Sequence, residues 1–284
     1  DVSVFFNTGM VEKAPIMDNV IYFDGTVASD PANEKFVHNE FGVNYKFGKL
    51  GLNASAYNTD WQDRNLTKSV TTGQGDSGDT DVIFLTGVNQ KHSGVELETN
   101  YMVNDMLDLM FVASFGNWKF DGDANGNYQE TEYNSEGQAI GYTTTEYAYA
   151  LDGLYVGDMP QTSYVLGVTL KPIKDLRIQA IHKMYDKNYS DWSPSAREFD
   201  GTNDDADRSQ VWEAPSYSRL DLHMSYKLPK VKDLDMTLTA NIFNALDEVY
   251  VQDAVDNSQY NGFGSKQHLA HNAEVFLGTP RYAN

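Results

Sequence analysis

The chain has 284 residues, enough for one large domain or two small ones, and its formal net charge at pH 7 is -20. This acidity excludes nucleic acid as a partner, because contacts to the phosphate backbone need a basic surface. The sequence contains no Cys, which excludes disulfides and thiolate metal sites. No apolar run approaches the length of a transmembrane helix.

Alternation of apolar and polar residues with a period of two predicts β-strands that have one apolar and one polar face. In chain order the pattern marks ten segments, the last of them cut short: 2–7, 40–47, 50–57, 95–103, 107–115, 164–170, 176–185, 219–228, 234–242 and 273–284. The segments on either side of the turn 229–233 are the most regular, and charged residues follow one face of each. Strands of about ten residues suit a tilted crossing of a bilayer, with lipid against the apolar face.

The connections between the predicted strands alternate between short turns and long loops. Short turns are expected at 48–49, 104–106, 172–175 and 229–233. Loops are expected at 10–35, 58–91, 121–162, 188–215 and 247–272. Soluble domains rarely hold several structureless loops of this length. Transmembrane barrels do, with short turns at one end and long extracellular loops at the other.

Four short motifs lie on or beside the predicted strands. They are Gly9 and Pro15 within residues 5–20, Gly94, Glu96 and Glu98 within HSGVELETNY, Asn241, Phe243 and Asn244 within LTANIFNALDEVY, and Gly278, Pro280 and Arg281 within VFLGTPRYAN. In this order the motifs resemble the C-terminal half of the TonB-dependent outer-membrane receptors. The loops are similar in style to those of receptors from Bacteroidetes. The resemblance covers essentially the whole chain.

The resemblance implies an all-β, antiparallel transmembrane β-barrel of about 22 strands, of which residues 1–284 would form the last ten. It implies a place in the bacterial outer membrane and the import of a scarce, bulky nutrient of the siderophore, glycan or peptide class. The implied partners are outer-membrane lipid, the TonB energy-transducing complex, and a surface lipoprotein or other outer-membrane subunits. The family's plug, TonB box and terminal aromatic residue are not in this sequence, so we expect the native protein to contain more chain.

Two other classes of protein stay open at this point. One is a receptor-like barrel that serves as a scaffold subunit of an outer-membrane complex without transport, and upstream sequence with a plug and a TonB box would argue against it. The other is a secreted, soluble all-β protein such as a carbohydrate binder, which would need no detergent. None of the three interpretations, transporter, scaffold barrel or soluble binder, predicts a catalytic residue.

One segment suggests a metal site. DGDANGNYQETE, residues 121–132, matches the twelve-residue calcium-loop pattern, with oxygen donors from Asp121, Asp123, Asn125 and Glu132 and a sharp turn at Gly126. The sequence therefore predicts a Ca²⁺ site in an extracellular loop. The alternative is a polar β-turn built on the Asn-Gly pair.

Two groups of residues that include histidine could suggest a functional site. His268 and His271 share one loop, where an exposed position is expected rather than a metal site. Asp221, His223 and Ser225 lie on one face of one predicted strand and have the residue types of a Ser-His-Asp catalytic triad. Neighbours on that face are about 7 Å apart, too far for the contacts of a nucleophile, base and orienting acid. A ladder of polar side chains is the expected arrangement.

Charged and aromatic side chains are the remaining candidates. The predicted interior face carries both signs of charge, from Glu96, Glu98, Asp221, Asp235, Arg177, Lys183, Arg219 and Lys227. Cross-strand ion pairing is the expected role, and a substrate path is the alternative. The loop residues Trp61, Trp192 and Trp212 are expected either to stack on sugar or siderophore rings or to pack loop against loop.

Overall fold

A computed structural model describes residues 1–17, 20–21, 25–28, 31–72, 79–199, 206–257 and 267–284. Apart from the short helix α1 (Pro194–Arg197), its regular elements are strands. They are β1 (Val2–Lys13), β2 (Glu34–Phe47), β3 (Leu50–Thr72), β4 (Asp79–Asn104), β5 (Leu107–Phe120), β6 (Ala124–Tyr133), β7 (Ala139–Tyr149), β8 (Thr162–Leu170), β9 (Leu176–Asp186), β10 (Asn188–Tyr189), β11 (Glu198–Phe199), β12 (Glu213–Ala214), β13 (Tyr217–Lys227), β14 (Thr237–Phe243), β15 (Val251–Val255), β16 (Glu274–Leu277) and β17 (Tyr282–Ala283). Among the described residues, no helix is long and apolar enough to cross a membrane.

Ten of these strands form one antiparallel path, in the order β1-β2-β3-β4-β5-β8-β9-β13-β14-β17. The first nine correspond to the first nine predicted segments. The tenth segment, 273–284, holds two short strands, of which β17 joins this path and β16 pairs with β15 in a separate sheet. The prediction of an all-β antiparallel sheet is confirmed. β1 and β17 stand at the two ends of this order, and the sheet does not close on itself.

The sheet has one apolar and one polar face, as the alternation predicts. Pairing places side chains that are directly opposite on the same face, and Leu222 lies opposite Ala180 on β9 and Ile242 on β14. The apolar face is open to its surroundings, with Phe6 64% and Leu238 52% exposed. Soluble proteins rarely leave so continuous an apolar surface uncovered, whereas a barrel wall turns it to lipid.

The connections differ between the two ends of the strands. The turns near residues 48, 105, 173 and 230 are short, and all the long connections lie at the opposite end. β3 and β4 continue beyond the predicted strands and pair as far as Thr72 with Asp79. Residues 58–91, which were expected to form a loop, are therefore largely a hairpin.

The prediction that residues 121–162 form a structureless loop is wrong. β6 and β7 form a hairpin inside this segment, and β6 also pairs with the extended part of β4. This pairing satisfies backbone N–H and C=O groups that a long irregular loop would leave to water. A Cβ at Gly126 would lie 2.9 Å from side-chain atoms of Ile83 and Leu85, so this position lets the hairpin approach β4 closely.

The long connections other than the one between β1 and β2 fold into one unit, which we call the cap. The cap comprises the described parts of residues 62–72, 79–89, 120–161, 187–216 and 244–281. Its hydrophobic core consists of Ile83, Leu85, Val88, Phe120, Ala124, Tyr149, Leu151, Leu154, Tyr189, Trp192 and Val211. The largest buried apolar cluster of the described chain thus lies above the sheet rather than within it.

Candidate ligand-binding surface

The polar face of the sheet carries the cross-strand ion pairing that the sequence predicts. Lys183 Nζ donates to Asp221 Oδ2 at 2.9 Å, and the backbone N–H of Asn244 donates to Asp221 Oδ1 at 2.9 Å. Asp221 is buried, so these two contacts stabilise a carboxylate that burial alone would disfavour. Lys227 and Asp235 are 3.9 Å apart and exposed, where an ion pair contributes little.

The three residues that suggested a triad have separate partners. Asp221 contacts Lys183 and Asn244, whereas His223 Nδ1 lies 2.8 Å from Asn241 Oδ1 on β14. This cross-strand contact is the kind expected of a polar ladder. In the part of the chain that the structure describes, no hydrogen bond joins His223 to Ser225, as a base and its nucleophile would require.

Four charged side chains form a cluster inside the cap, which we call the cap ion cluster: Arg197, Asp207, Asp256 and His268. The Arg197 and Asp256 side chains are fully buried and lie 3.4 Å apart, and Arg197 also donates to the Asp207 carbonyl at 2.9 Å. His268 Nδ1 lies 2.5 Å from Asp256 Oδ2, and Nε2 lies 2.8 Å from Asp207 Oδ2. The cluster joins the connection between β9 and β13 to the one that follows β14.

The cap ion cluster changes the interpretation of the loop histidines. The expectation of an exposed His268 is wrong, because 7% of its side chain is accessible. Burial disfavours the charged imidazole, but hydrogen bonds to Asp256 and Asp207 outweigh this and raise the pKa of His268. His271 stays exposed. Within the described ranges, no three or more His, Asp or Glu side chains converge in a way that could hold a metal.

The structure does not bring the predicted calcium ligands at residues 121–132 together. Residues from Ala124 onward are strand, so Asn125 and Glu132 stand about 23 Å apart at the rise of an extended chain, far beyond a shared Ca²⁺. Asp121 pairs with Lys91 at 2.8 Å, and Asp123 accepts two hydrogen bonds from Arg208 at 2.7 and 2.8 Å. Glu132 accepts a hydrogen bond from the Thr143 hydroxyl across the hairpin.

The three loop tryptophans have different roles. Trp192 is 2% exposed and packs in the cap core, with its ring centroid 5.8 Å from that of Tyr149. It therefore packs one loop against another. Trp212 is half-buried beside β12. Trp61 lies on the polar face of the sheet, below the cap, where the Arg64 guanidinium stands 4.2 Å over its ring.

Trp61 belongs to a continuous group of rings on the polar face, which we call the aromatic platform. The platform spans β2 to β5 and consists of Phe36, His38, Tyr57, Trp61, His92 and Trp118. Ring centroids are 6.0 Å apart for Phe36 and Trp61, 6.3 Å for Phe36 and His38, and 6.4 Å for His38 and Tyr57. The His92 and Trp118 rings stack at 5.5 Å with an interplanar angle of 19°.

Two glycines let the central rings of the platform lie against the sheet. Gly94 pairs with Tyr57 on one side and with Gly116 on the other. A Cβ at Gly94 would lie 2.5 Å from the Tyr57 hydroxyl oxygen, and one at Gly116 would lie 2.8 Å from Trp118 Nε1. The two rings meet over the glycine pair, where Trp118 Nε1 donates to the Tyr57 hydroxyl at 2.9 Å.

Gln161 fixes the backbone that carries Trp118. The Trp118 N–H donates to Gln161 Oε1 at 2.9 Å, and Gln161 Nε2 donates back to the Trp118 carbonyl at 3.0 Å. Gln161 is 2% exposed, so the cap holds this edge of the platform in place. The sequence pointed to Trp61 as a ring that could stack on a ligand and to Gly94 as part of a motif, but it did not indicate the other rings of the platform.

The comparison with protein families identifies this fold. The model described as "TonB dependent receptor-like, beta-barrel" matches residues 1–245, and the chain belongs to this family. Its members are β-barrels of the bacterial outer membrane, with roles as receptors and transporters. The apolar face of the sheet is therefore the lipid face, and the polar face lines the interior. A comparison with curated proteins by sequence found no match.

Solved structures agree with the family at the level of the fold. The copper transporter OprC matches with a TM-score of 0.58 and 16% identity, over 99% of this chain and 36% of that chain. The ferric-catecholate import receptor Fiu from E. coli K12 matches with a TM-score of 0.55 and 13% identity, over 99% of this chain and 32% of that chain. BauA, the ferric preacinetobactin receptor from Acinetobacter baumannii, matches with a TM-score of 0.52 and 16% identity, over 99% of this chain and 33% of that chain. The chain spans about a third of the length of these structures.

Proposed function

We propose that the protein takes part in the TonB-dependent import of a scarce, bulky nutrient across the bacterial outer membrane. The observation that carries the proposal is the two-faced sheet of a family whose members are receptors and transporters. The apolar face would contact outer-membrane lipid, and the polar face would line the path of the nutrient. No catalytic step is assigned to the chain.

Energy would come from the inner membrane through the TonB complex, since a large solute cannot be concentrated by a passive pore. A surface lipoprotein or another outer-membrane subunit would be a further partner. Three similar structures are named as a copper transporter, a ferric-catecholate import receptor and a ferric preacinetobactin receptor, which supports transport as the role. For this protein the nutrient would be of the siderophore, glycan or peptide class.

Uptake measurements test this proposal. A strain that lacks the gene should lose uptake of at least one labelled nutrient from a panel of ferric siderophores, oligosaccharides and peptides. In the parent strain, a brief treatment with an uncoupler or deletion of TonB should abolish the uptake of that nutrient. Uptake that persists after the gradient collapses, or a mutant indistinguishable on the whole panel, would instead indicate a receptor-like scaffold without active transport.

A further inference from the structure

We propose that the aromatic platform binds a neutral carbohydrate, with a sugar ring stacked on Tyr57 and Trp118. This inference rests on the proposed import function and names the class of nutrient. It is drawn from three features of the described chain: the position of the rings, their fixed orientation, and the charge around them.

The position of the platform suits a first contact with an incoming solute. Its rings lie on the interior face at the end of the sheet that the cap covers, and none of the six is fully buried. Phe36 is 37% exposed. Aromatic rings that serve only as core normally bury most of their surface, so this row of accessible rings has contact area to offer.

The orientation of the central rings suits stacking. Tyr57 and Trp118 lean over the glycine pair and occupy the space that a Cβ would take at Gly94 and Gly116, so they lie against the sheet backbone. Their mutual hydrogen bond and the Gln161 contacts hold them there. A binding surface that is already ordered loses little conformational entropy when a ligand arrives.

The chemistry of these rings matches one face of a pyranose. The axial C–H groups of a sugar carry slight positive charge and are attracted to the negative face of an aromatic ring. The hydroxyl groups at the sugar's edge then need hydrogen-bond partners. Glu40 lies directly opposite Tyr57 on β2, and Glu96 lies two residues from Gly94 on the same face, so both carboxylates can accept from them.

The charge around the platform opposes an anionic ligand. Glu34 and Lys13 pair with each other at 3.3 Å, so neither adds net charge to the platform. Glu40 and Glu96 then lie beside Tyr57, and the Arg64 guanidinium lies over Trp61 at the other end of the platform. A ferric siderophore with net negative charge would meet like charge here, which costs affinity, whereas a neutral sugar would not.

Binding by the purified product of the full open reading frame tests the inference. The probes are an array of neutral oligosaccharides and, as the anionic comparison, a ferric tris-catecholate complex. We expect binding of a neutral oligosaccharide and weaker binding by the Trp118→Ala variant, with Kd raised roughly tenfold or more, the loss typical of a removed stacking ring. Trp118→Phe, which keeps a ring, should restore most of the affinity.

The matched control is Phe115→Ala, on the same strand but on the lipid face and 43% exposed. Its Kd should equal that of the wild type, and heat-modifiable migration on gels checks that every variant is folded. Absence of binding to all neutral oligosaccharides would overturn the inference, as would an unchanged Kd for Trp118→Ala or preference for the ferric complex. This assay needs no proton gradient, so its failure is distinct from a failure of energised uptake.

Discussion

Replacing Arg197 with Met should destabilise the cap by about 3–5 kcal/mol, the cost of breaking a buried ion pair from one side. The Arg197 and Asp256 side chains are both inaccessible to solvent, so the variant leaves the Asp256 carboxylate buried with only His268 as a counter-charge. Met approximates the length of the Arg side chain, which keeps loss of volume small. Hydrogen exchange of cap amides measures the free energy of local opening.

The control for this prediction is Lys227→Met. Lys227 pairs with Asp235 at 3.9 Å, and both side chains are more than half exposed, so its loss should cost about 0–1 kcal/mol. Equal protection of the cap amides in wild type and Arg197→Met would show that the cap ion cluster does not hold the cap together.

Replacing Leu222 with Arg should destabilise the protein in a bilayer by about 2–4 kcal/mol if the position lies near the midplane. Leu222 stands between Ala180 and Ile242 on the lipid face, where a guanidinium finds neither water nor a counter-ion. Urea unfolding of the full open reading frame product in lipid vesicles measures the change.

The matched control is His223→Arg, the next residue on β13 and on the interior face. His223 has a polar partner in Asn241, so an added cation there remains in a polar setting and should cost far less. A larger loss of stability for His223→Arg than for Leu222→Arg would contradict the assignment of the two faces.

The sheet could be predicted from the sequence because its signal is local. Each strand such as β13 shows its two faces within a few residues, and β14 shows them again after a short turn. The sequence also indicates which end carries the long connections. The direction of neighbouring strands then follows from the turns alone.

The cap could not be predicted, because the contacts that form it join distant parts of the chain. β7 reads AIGYTTTEYAY, a polar run without clear alternation, and its strand exists because β6 pairs with it and with β4. Arg197 and Asp256 are 59 residues apart, and the sequence around either residue gives no sign that the two side chains pair. Burial of these charges is visible only once the connections are folded together.

The calcium-loop pattern and the aromatic platform show why a sequence motif alone does not define a site. Residues 121–132 match the calcium-loop pattern, but cross-strand pairing of β6 with β7 holds the segment extended from Ala124 onward. The aromatic platform has no motif, since it depends on the register that sets Gly94 against Gly116 and brings Tyr57 beside Trp118. A pattern read along one strand cannot report which residues of other strands lie beside it.

The most direct test of the two-faced sheet is cysteine labelling in intact outer membranes. Residues 1–284 contain no Cys, so once any Cys elsewhere in the full protein is replaced, Leu222→Cys and His223→Cys report on one position each. With a membrane-impermeant thiol reagent, the account predicts labelling at position 223, inside the barrel, and protection at position 222, against lipid. Rapid labelling at 222 together with none at 223 would contradict it.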